Sequence, residues 1–267
     1  MTIRLAVLGS PIAHSRSPLL HAAAARVLGL DWSYDRIEVD QAGLPALLAG
    51  LGPEWAGLSL TMPLKRTVLP LVAGHDPLVS RLGLANTVRL GDRPALFNTD
   101  VGGIEAVLGD VVGAPCAVVL GAGATAASAL EALARLGVAS RVVAARHPVA
   151  ARTALGDLAT GCTALADAPL ESADVVVSTL PGGVDADVPV PVRIAGTPLL
   201  DVAYDPWPSA LGRAWADAGG SLRHGLEMLV EQAVLQVRVF TGGSLGTPLD
   251  QEPEVRAAMR DAVGLPA

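Results

Sequence analysis

Polar residues able to grip a small oxygenated anion stand at the ends of apolar runs in this chain. Ser15 and Ser17 follow Leu5–Leu8, and Thr61 and Lys65 follow Gly57–Leu60. Asn86 precedes Thr87–Leu90, and Asn98-Thr99-Asp100 comes shortly after it. Hydroxyls, amides and an ammonium donate hydrogen bonds, while asparagine and aspartate also accept them. Such a set, gathered in one pocket, suits a small, hydroxyl-rich acid. Local structure offers competing reasons for some of these residues. Ser17 before Pro18 fits a helix N-cap, but capping explains one serine and not two. Lys65 falls in the first turn of a helix begun by Pro63, where a cation opposes the helix dipole, so a purely structural role is disfavoured.

A second constellation points to a nucleotide. Gly121-Ala122-Gly123-Ala124-Thr125-Ala126 is preceded by the apolar run Cys116–Leu120 and followed by the helical pattern Ala127–Leu136. Strand, glycine turn and helix give G-x-G-x-x-G/A its physical sense. The first glycine makes the turn, the second lets backbone approach a pyrophosphate, and small Ala126 keeps helix close to strand. The free N–H groups and dipole of the helix start favour phosphate. Arg146 follows the next strand, Arg141–Ala145, and no acid occurs from Ala144 to Leu155. An acid there would bind the ribose hydroxyls of NAD; an arginine suits the added phosphate of NADP. The competing reading of Arg146 is a solvated charge at a strand end.

These residues need an alternating α/β frame. The expected strands are Leu5–Leu8, Tyr34–Val39, Gly57–Leu60, Thr87–Leu90, Ala117–Leu120, Val142–Ala145, Val175–Ser178 and Leu199–Val202. The expected helices are Pro18–Leu28, Leu44–Leu51, Val101–Leu108, Thr125–Leu136, Ser209–Ala218, Leu226–Thr241 and Glu254–Val263. Such alternation predicts α/β with largely parallel sheets. At 267 residues and 51% hydrophobic, the chain can bury one large or two modest cores. Mean hydropathy is +0.46, and with aromatics at 3% those cores must be Ala, Val and Leu.

A net charge of −7 without a basic run argues against a nucleic-acid partner. Cys116 and Cys162 sit in apolar stretches and read as buried thiols of a reducing cytoplasm; no His/Cys cluster suggests a metal. The opening Met1–Gly9 carries too short an apolar run for a signal peptide. Val111–Leu130 is 20 residues without a charge, but its glycines and Pro115 read as strand, turn and helix and not as a membrane span. The protein is therefore expected to be cytoplasmic, with no membrane partner.

The ordered motifs resemble the shikimate dehydrogenase family over nearly the whole chain. The family's S-x-S matches Ser15 and Ser17, its N-V-T-x-P-x-K matches Ser59 through Lys65, and its A-N-T matches Ala85-Asn86-Thr87. Its N-T-D-x-x-G matches Asn98 through Gly103, and its glycine loop matches Gly121 through Thr125. Its N-R-T/S matches Ala145-Arg146-His147, the aromatic of its D-x-x-Y matches Tyr204, and its G-L-x-M-L-x-x-Q-A matches Gly225 through Ala233.

The resemblance implies a two-domain α/β architecture: an N-terminal α/β substrate domain and a Rossmann-type dinucleotide-binding domain. Residues 1–101 with the returning helices of 224–267 would form the first and residues 102–223 the second, with a cleft between them. It implies reduction of 3-dehydroshikimate to shikimate with NADPH. Lys65 and Asp100 would be catalytic, the ammonium of Lys65 exchanging the proton of the reacting oxygen and Asp100 orienting it. Ser15 and Ser17 would bind the substrate carboxylate, while Thr61, Asn86, Tyr204 and Gln232 hold carboxylate and ring hydroxyls. Gly121, Ala122, Gly123, Ala124, Thr125, Arg146, Val202 and Gly225 would bind NADP. Simpler readings compete: Tyr204 packed on Trp207, Gln232 on a solvated helix face, Lys65 and Asp100 as a surface ion pair. The implied assembly is a monomer or homodimer.

Two departures stand out. Ser59 replaces the family's usual Asn, which shortens one contact. Ala145 and His147 replace Asn and Thr/Ser around Arg146, which bears on NADP affinity. An NAD-dependent quinate/shikimate dehydrogenase would share Lys65 and Asp100 but would carry an acid near position 146. A non-catalytic sensor of shikimate-type ligands would be marked by loss of Lys65 or Asp100, and both are present.

Overall fold

Val- and Leu-rich segments form the strands, and Ala-rich segments form the helices that cover them. The computed structural model describes residues 2–183, 188–192, 194 and 196–266. The chain divides into two units, Met1–Thr99 with Leu229–Ala267, and Asp100–Met228.

In the first unit the elements are β1 (Ile3–Gly9), α1 (Ser17–Leu28), β2 (Trp32–Glu38), α2 (Leu44–Ala49), β3 (Trp55–Leu60), α3 (Leu64–Thr67), β4 (Gly74–His75), α4 (Pro77–Leu82), β5 (Thr87–Arg89) and β6 (Ala95–Phe97). Their strands form one sheet in the order β2-β1-β3-β5-β6-β4. β1 is parallel to β2 and β3, and β4 to β6, but β5 is antiparallel to both β3 and β6. This sheet is therefore mixed, where alternation alone suggests mostly parallel pairing. The cause is the short link of residues 90–94, since a tight turn can join only antiparallel strands. The reversal matters for the site: Thr87 at the start of β5 pairs with Ser59 near the end of β3 and with Phe97 at the end of β6. One sheet edge thus gathers the ends of β1, β3 and β6 and the start of β5.

The second unit contains α5 (Asp100–Val107), β7 (Cys116–Leu120), α6 (Ala124–Arg135), β8 (Ser140–Ala145), α7 (Pro148–Leu155), β9 (Gly161–Ala164), β10 (Val175–Ser178), β11 (Pro198–Asp201), α8 (Ala210–Asp217) and β12 (Ser221–His224). Its sheet, β12-β11-β10-β7-β8-β9, is parallel throughout. This is the doubly wound Rossmann order, with its switch point between β7 and β10. Val118, Leu120, Val176, Leu199 and the fully buried Trp215 fill one face. Trp215 places its indole N–H on the Thr197 carbonyl, 2.9 Å away. The uncharged stretch Val111–Leu130 folds as β7, the glycine turn and the start of α6. No helix among the described residues is long and apolar enough to cross a membrane.

Two helices close the chain, α9 (Gly225–Phe240) and α10 (Glu252–Ala262). The division between units falls within α9. Ala6, Leu8, Leu58 and Leu60 face α2 and α3 on one side of the first sheet, while Leu5 meets Val239 and Phe240 of α9 on the other. Gly57 is required there, because a Cβ would collide with the Phe240 ring. Arg238 and Glu252 (2.6 Å) and Arg256 and Glu231 (2.8 Å) pair α9 with α10.

Candidate active site

The carboxyl ends of neighbouring parallel strands share one edge, the usual place for ligands in open α/β sheets. In the first unit the loops after β1 and β3 lie side by side there. Gly9 permits this, since a Cβ would strike Thr61 and the Met62 carbonyl, and the Ser10 N–H bonds that carbonyl at 3.0 Å. Lys65 is carried by α3, and its carbonyl accepts the Ala85 N–H at 2.9 Å, tying it to the segment that presents Asn86.

Asn86 is 2% exposed and Gln232 6% exposed. The Asn86 side-chain carbonyl oxygen accepts the Thr99 N–H (2.8 Å) and the Thr87 hydroxyl (2.9 Å). Its amide nitrogen donates to the Thr99 hydroxyl (2.8 Å) and to Gln232 Oε1 (3.4 Å). Gln232 also receives the Thr99 hydroxyl (3.3 Å) and donates to the Leu229 carbonyl (2.8 Å). Gln232 is thus inward-facing, and the solvated-face reading of it does not hold. Asp100 follows Thr99 directly, is buried, and opens α5, where an acid complements the helix dipole.

Neither serine caps α1 as the N-cap reading of Ser17 requires. Arg16 is the N-cap without a side-chain bond, and Ser17 is the first helical residue. The Ser17 N–H bonds the Ser15 hydroxyl oxygen, and the Ser15 hydroxyl reaches the Ser17 hydroxyl, both at 3.3 Å.

Around this pair lie residues that the sequence did not single out. Tyr34 and Arg36 share one face of β2, as alternate strand residues must. Arg36 Nε donates to the Ser15 carbonyl at 2.9 Å. The Tyr34 hydroxyl donates to Ser59 Oγ (2.6 Å), and Ser59 donates to Gln236 Oε1 (2.8 Å). Gln236 Nε2 then donates to the Asn86 backbone carbonyl (3.2 Å) and the Thr87 hydroxyl (3.0 Å). Burial pushes the Tyr34 phenol well above its ordinary value, while hydrogen bonds with Ser59 and Ser17 oppose that rise. His21, 1% exposed, stacks on Tyr34 with ring centroids 4.0 Å apart. Its Nδ1–H donates to the Ser17 carbonyl at 2.9 Å, and Nε2 is buried without a hydrogen-bond partner. Burial lowers its pKa from 6.5 to about 4.

In the second unit the glycine loop joins β7 to α6. Gly121 has φ +102°, a left-handed conformation that favours glycine. Gly123 is the extended N-cap of α6, with no side-chain cap and no acid in the first turn. A Cβ on Gly123 would meet no atom within 4 Å, so open space faces the helix start where a phosphate would sit. The Gly121 N–H bonds the Ala144 carbonyl at 2.9 Å, which brings the end of β8, and Arg146 just beyond it, alongside the loop. Arg146 is exposed. Ala122, Ala124 and Thr125 complete the turn.

Val202 and Tyr204 lie in the loop after β11, and Gly225 follows β12. Gly225 approaches Val202 so closely that a Cβ would sit 2.5 Å from the Val202 carbonyl oxygen. Asp201 holds this loop through the Ala203 N–H (3.3 Å) and the Ser209 hydroxyl (2.5 Å), and burial raises its pKa. Trp207, weighed as a packing partner of Tyr204, stacks on His224 with centroids 3.7 Å apart. Among the described residues no His/Cys/Asp/Glu group could hold a metal.

Residues 7–88 match the family model described as the shikimate dehydrogenase substrate binding domain. A shikimate dehydrogenase (NADP(+)) of Anaeromyxobacter sp. strain Fw109-5 is 39% identical over 255 residues, covering 88% of this chain and 90% of the relative. The chain belongs to the shikimate dehydrogenase family. Solved members agree in fold. The Mycobacterium tuberculosis shikimate dehydrogenase superposes with a TM-score of 0.81 at 39% identity, covering 98% of this chain and 99% of that one. The Thermus thermophilus shikimate 5-dehydrogenase, solved in complex with NADP(H) and shikimate, gives 0.84 at 30% identity, covering 98% and 100%.

Proposed function

We infer that this chain is an NADP-dependent shikimate dehydrogenase. It reduces 3-dehydroshikimate to shikimate, reversibly, in the biosynthesis of chorismate and the aromatic amino acids. The observation that carries this is identity of 39% across most of the chain to a relative of that activity, and a fold shared with a family member solved with both ligands.

We assign most of the substrate contacts to residues of the first unit and NADP to residues of the second. Ser15 and Ser17 donate to the substrate carboxylate, with Thr61, Asn86, Tyr204 and Gln232 holding carboxylate and ring hydroxyls. The chemistry supplied by bound NADPH is hydride donation to the ring ketone. Lys65, as the ammonium, gives a proton to the oxygen of that ketone and recovers it in the reverse direction. Asp100 is assigned to hold the reacting hydroxyl. The Gly121–Thr125 backbone receives the pyrophosphate, Arg146 the added phosphate, and Val202 and Gly225 complete the cofactor residues. The open space at Gly123 supports a dinucleotide pyrophosphate there, and the absence of an acid beside Arg146 supports NADP and disfavours the NAD-dependent quinate alternative. The presence of Lys65 and Asp100 disfavours a catalytically silent sensor.

Purified protein mixed with 3-dehydroshikimate and NADPH should consume the two one for one, with shikimate as the chromatographically identified product. No consumption of NADPH would overturn the assignment.

A further inference from the structure

Gln236 lies beyond the motif Gly225 through Ala233, yet it shares a face of α9 with Gln232, four residues before it. It is 1% exposed, and the directions of its hydrogen bonds are fixed. The Asn86 backbone carbonyl can only accept, so Gln236 presents Nε2 to it at 3.2 Å and Oε1 to Ser59 at 2.8 Å. Nε2 also donates to the Thr87 hydroxyl oxygen at 3.0 Å. Thr87, accepting there, places its one proton on Asn86 Oδ1 at 2.9 Å. The Thr99 backbone N–H, which can only donate, meets the same oxygen at 2.8 Å. Two backbone groups, one at each end, thus fix the same orientation of the Asn86 amide. Its oxygen accepts from Thr87 and Thr99, and its nitrogen donates to the Thr99 hydroxyl and to Gln232 Oε1. Behind Gln236 the chain of donors runs back through Ser59 to the Tyr34 phenol at 2.6 Å. All of these residues belong to the first unit.

We propose that Gln236 is a positioning residue for the substrate, acting through Thr87 and Asn86. This rests on the reading that Asn86 holds the substrate. By occupying the Thr87 oxygen, Gln236 commits the Thr87 proton to Asn86 Oδ1. With that oxygen taken by Thr87 and Thr99, the Asn86 amide offers the ligand a donor, and its match is a substrate oxygen that accepts. The bond from Nδ2 to Gln232, at 3.4 Å, is long for a hydrogen bond, so a substrate oxygen can take that proton at little cost. Without Gln236 the Thr87 hydroxyl is free to turn, and Asn86 loses part of what fixes its amide.

The test measures shikimate binding by calorimetric titration, with KM and kcat, in Gln236→Met, Thr87→Val and the double variant. Gln236→Met keeps the length of the side chain and removes its donors. It should weaken shikimate binding by about tenfold, the scale of one hydrogen bond, raise KM for shikimate more than it lowers kcat, and leave NADP affinity unchanged. Thr87→Val keeps the shape, removes the hydroxyl and should weaken shikimate to a similar degree. Thr87→Ser, which keeps the hydroxyl, should retain most of the affinity. Because both changes act through one proton, the double variant should bind little more weakly than either single one. Additive losses would overturn the proposal, as would a lowered melting temperature with wild-type shikimate affinity in Gln236→Met. Should Gln236→Met fail to fold, Thr87→Val against Thr87→Ser decides, and equal affinities in those two would overturn the proposal. If Asn86→Ala leaves shikimate affinity unchanged, the placement of substrate at Asn86 fails and the proposal with it; if Asn86→Ala weakens binding and Gln236→Met does not, only the role of Gln236 fails.

Discussion

His21 should make the first unit acid-sensitive. It is buried and neutral, with Nδ1–H on the Ser17 carbonyl and Nε2 facing no acceptor. A proton added at Nε2 would be a buried charge without a partner, which is why its pKa falls from 6.5 to about 4. In the unfolded chain the ring has its ordinary value. Above about pH 6.5 both states are neutral and nothing is lost. As pH falls toward 4 the unfolded state gains the proton first, so folding loses stability over that window. Each pKa unit corresponds to about 1.4 kcal/mol, giving a limit of about 3 kcal/mol, of which about 2 kcal/mol should be gone by pH 5. The perturbation is His21→Asn, whose amide nitrogen can replace the Nδ1 donor but does not titrate. Urea unfolding of both proteins at pH 7.5 and pH 5 isolates the contribution, because every other group titrates alike in the two. The wild type should lose about 2 kcal/mol more than the variant between these values. Parallel losses in the two proteins would refute the reasoning and mean that water or a rearrangement satisfies Nε2.

Replacing Lys65 with Met keeps the packing of the stem and removes the charge and protons. It should cut turnover by about 100- to 10,000-fold and leave NADP binding intact; a loss under about tenfold with an unaltered pH–rate profile would exclude proton transfer by Lys65. Arg146→Ala should raise the Michaelis constant for NADP and leave that for NAD nearly unchanged, and equal effects on both would remove Arg146 from the phosphate site.

Much of this frame was legible because its signals are local. The glycine loop could be read from the run Cys116–Leu120 before it and the alanine-rich helix after it, and the structure puts the turn there. The mixed character of the first sheet was not legible. β5 and β6 are three residues each, too short for a period-2 pattern, and β6 was not expected at all. α4 and α7, of six and eight residues, escaped because each offers barely two turns of pattern. At Ser15 and Ser17 the sequence sets a capping signal against a ligand signal, and the structure gives the cap position to Arg16. Tyr34, Ser59 and Gln236 could not be connected from sequence, since their hydrogen bonds join residues 25 and 177 positions apart. Gln232 carried a motif signal, but its burial depends on the return of α9 to the first sheet, which helical periodicity alone does not reveal.

Oxidation of shikimate by this chain with NADP is checked by following nicotinamide absorbance for shikimate and quinate, each with NADP and NAD. Shikimate with NADP should give by far the highest kcat/KM of the four pairs. A preference for NAD, or for quinate with either cofactor, would contradict it.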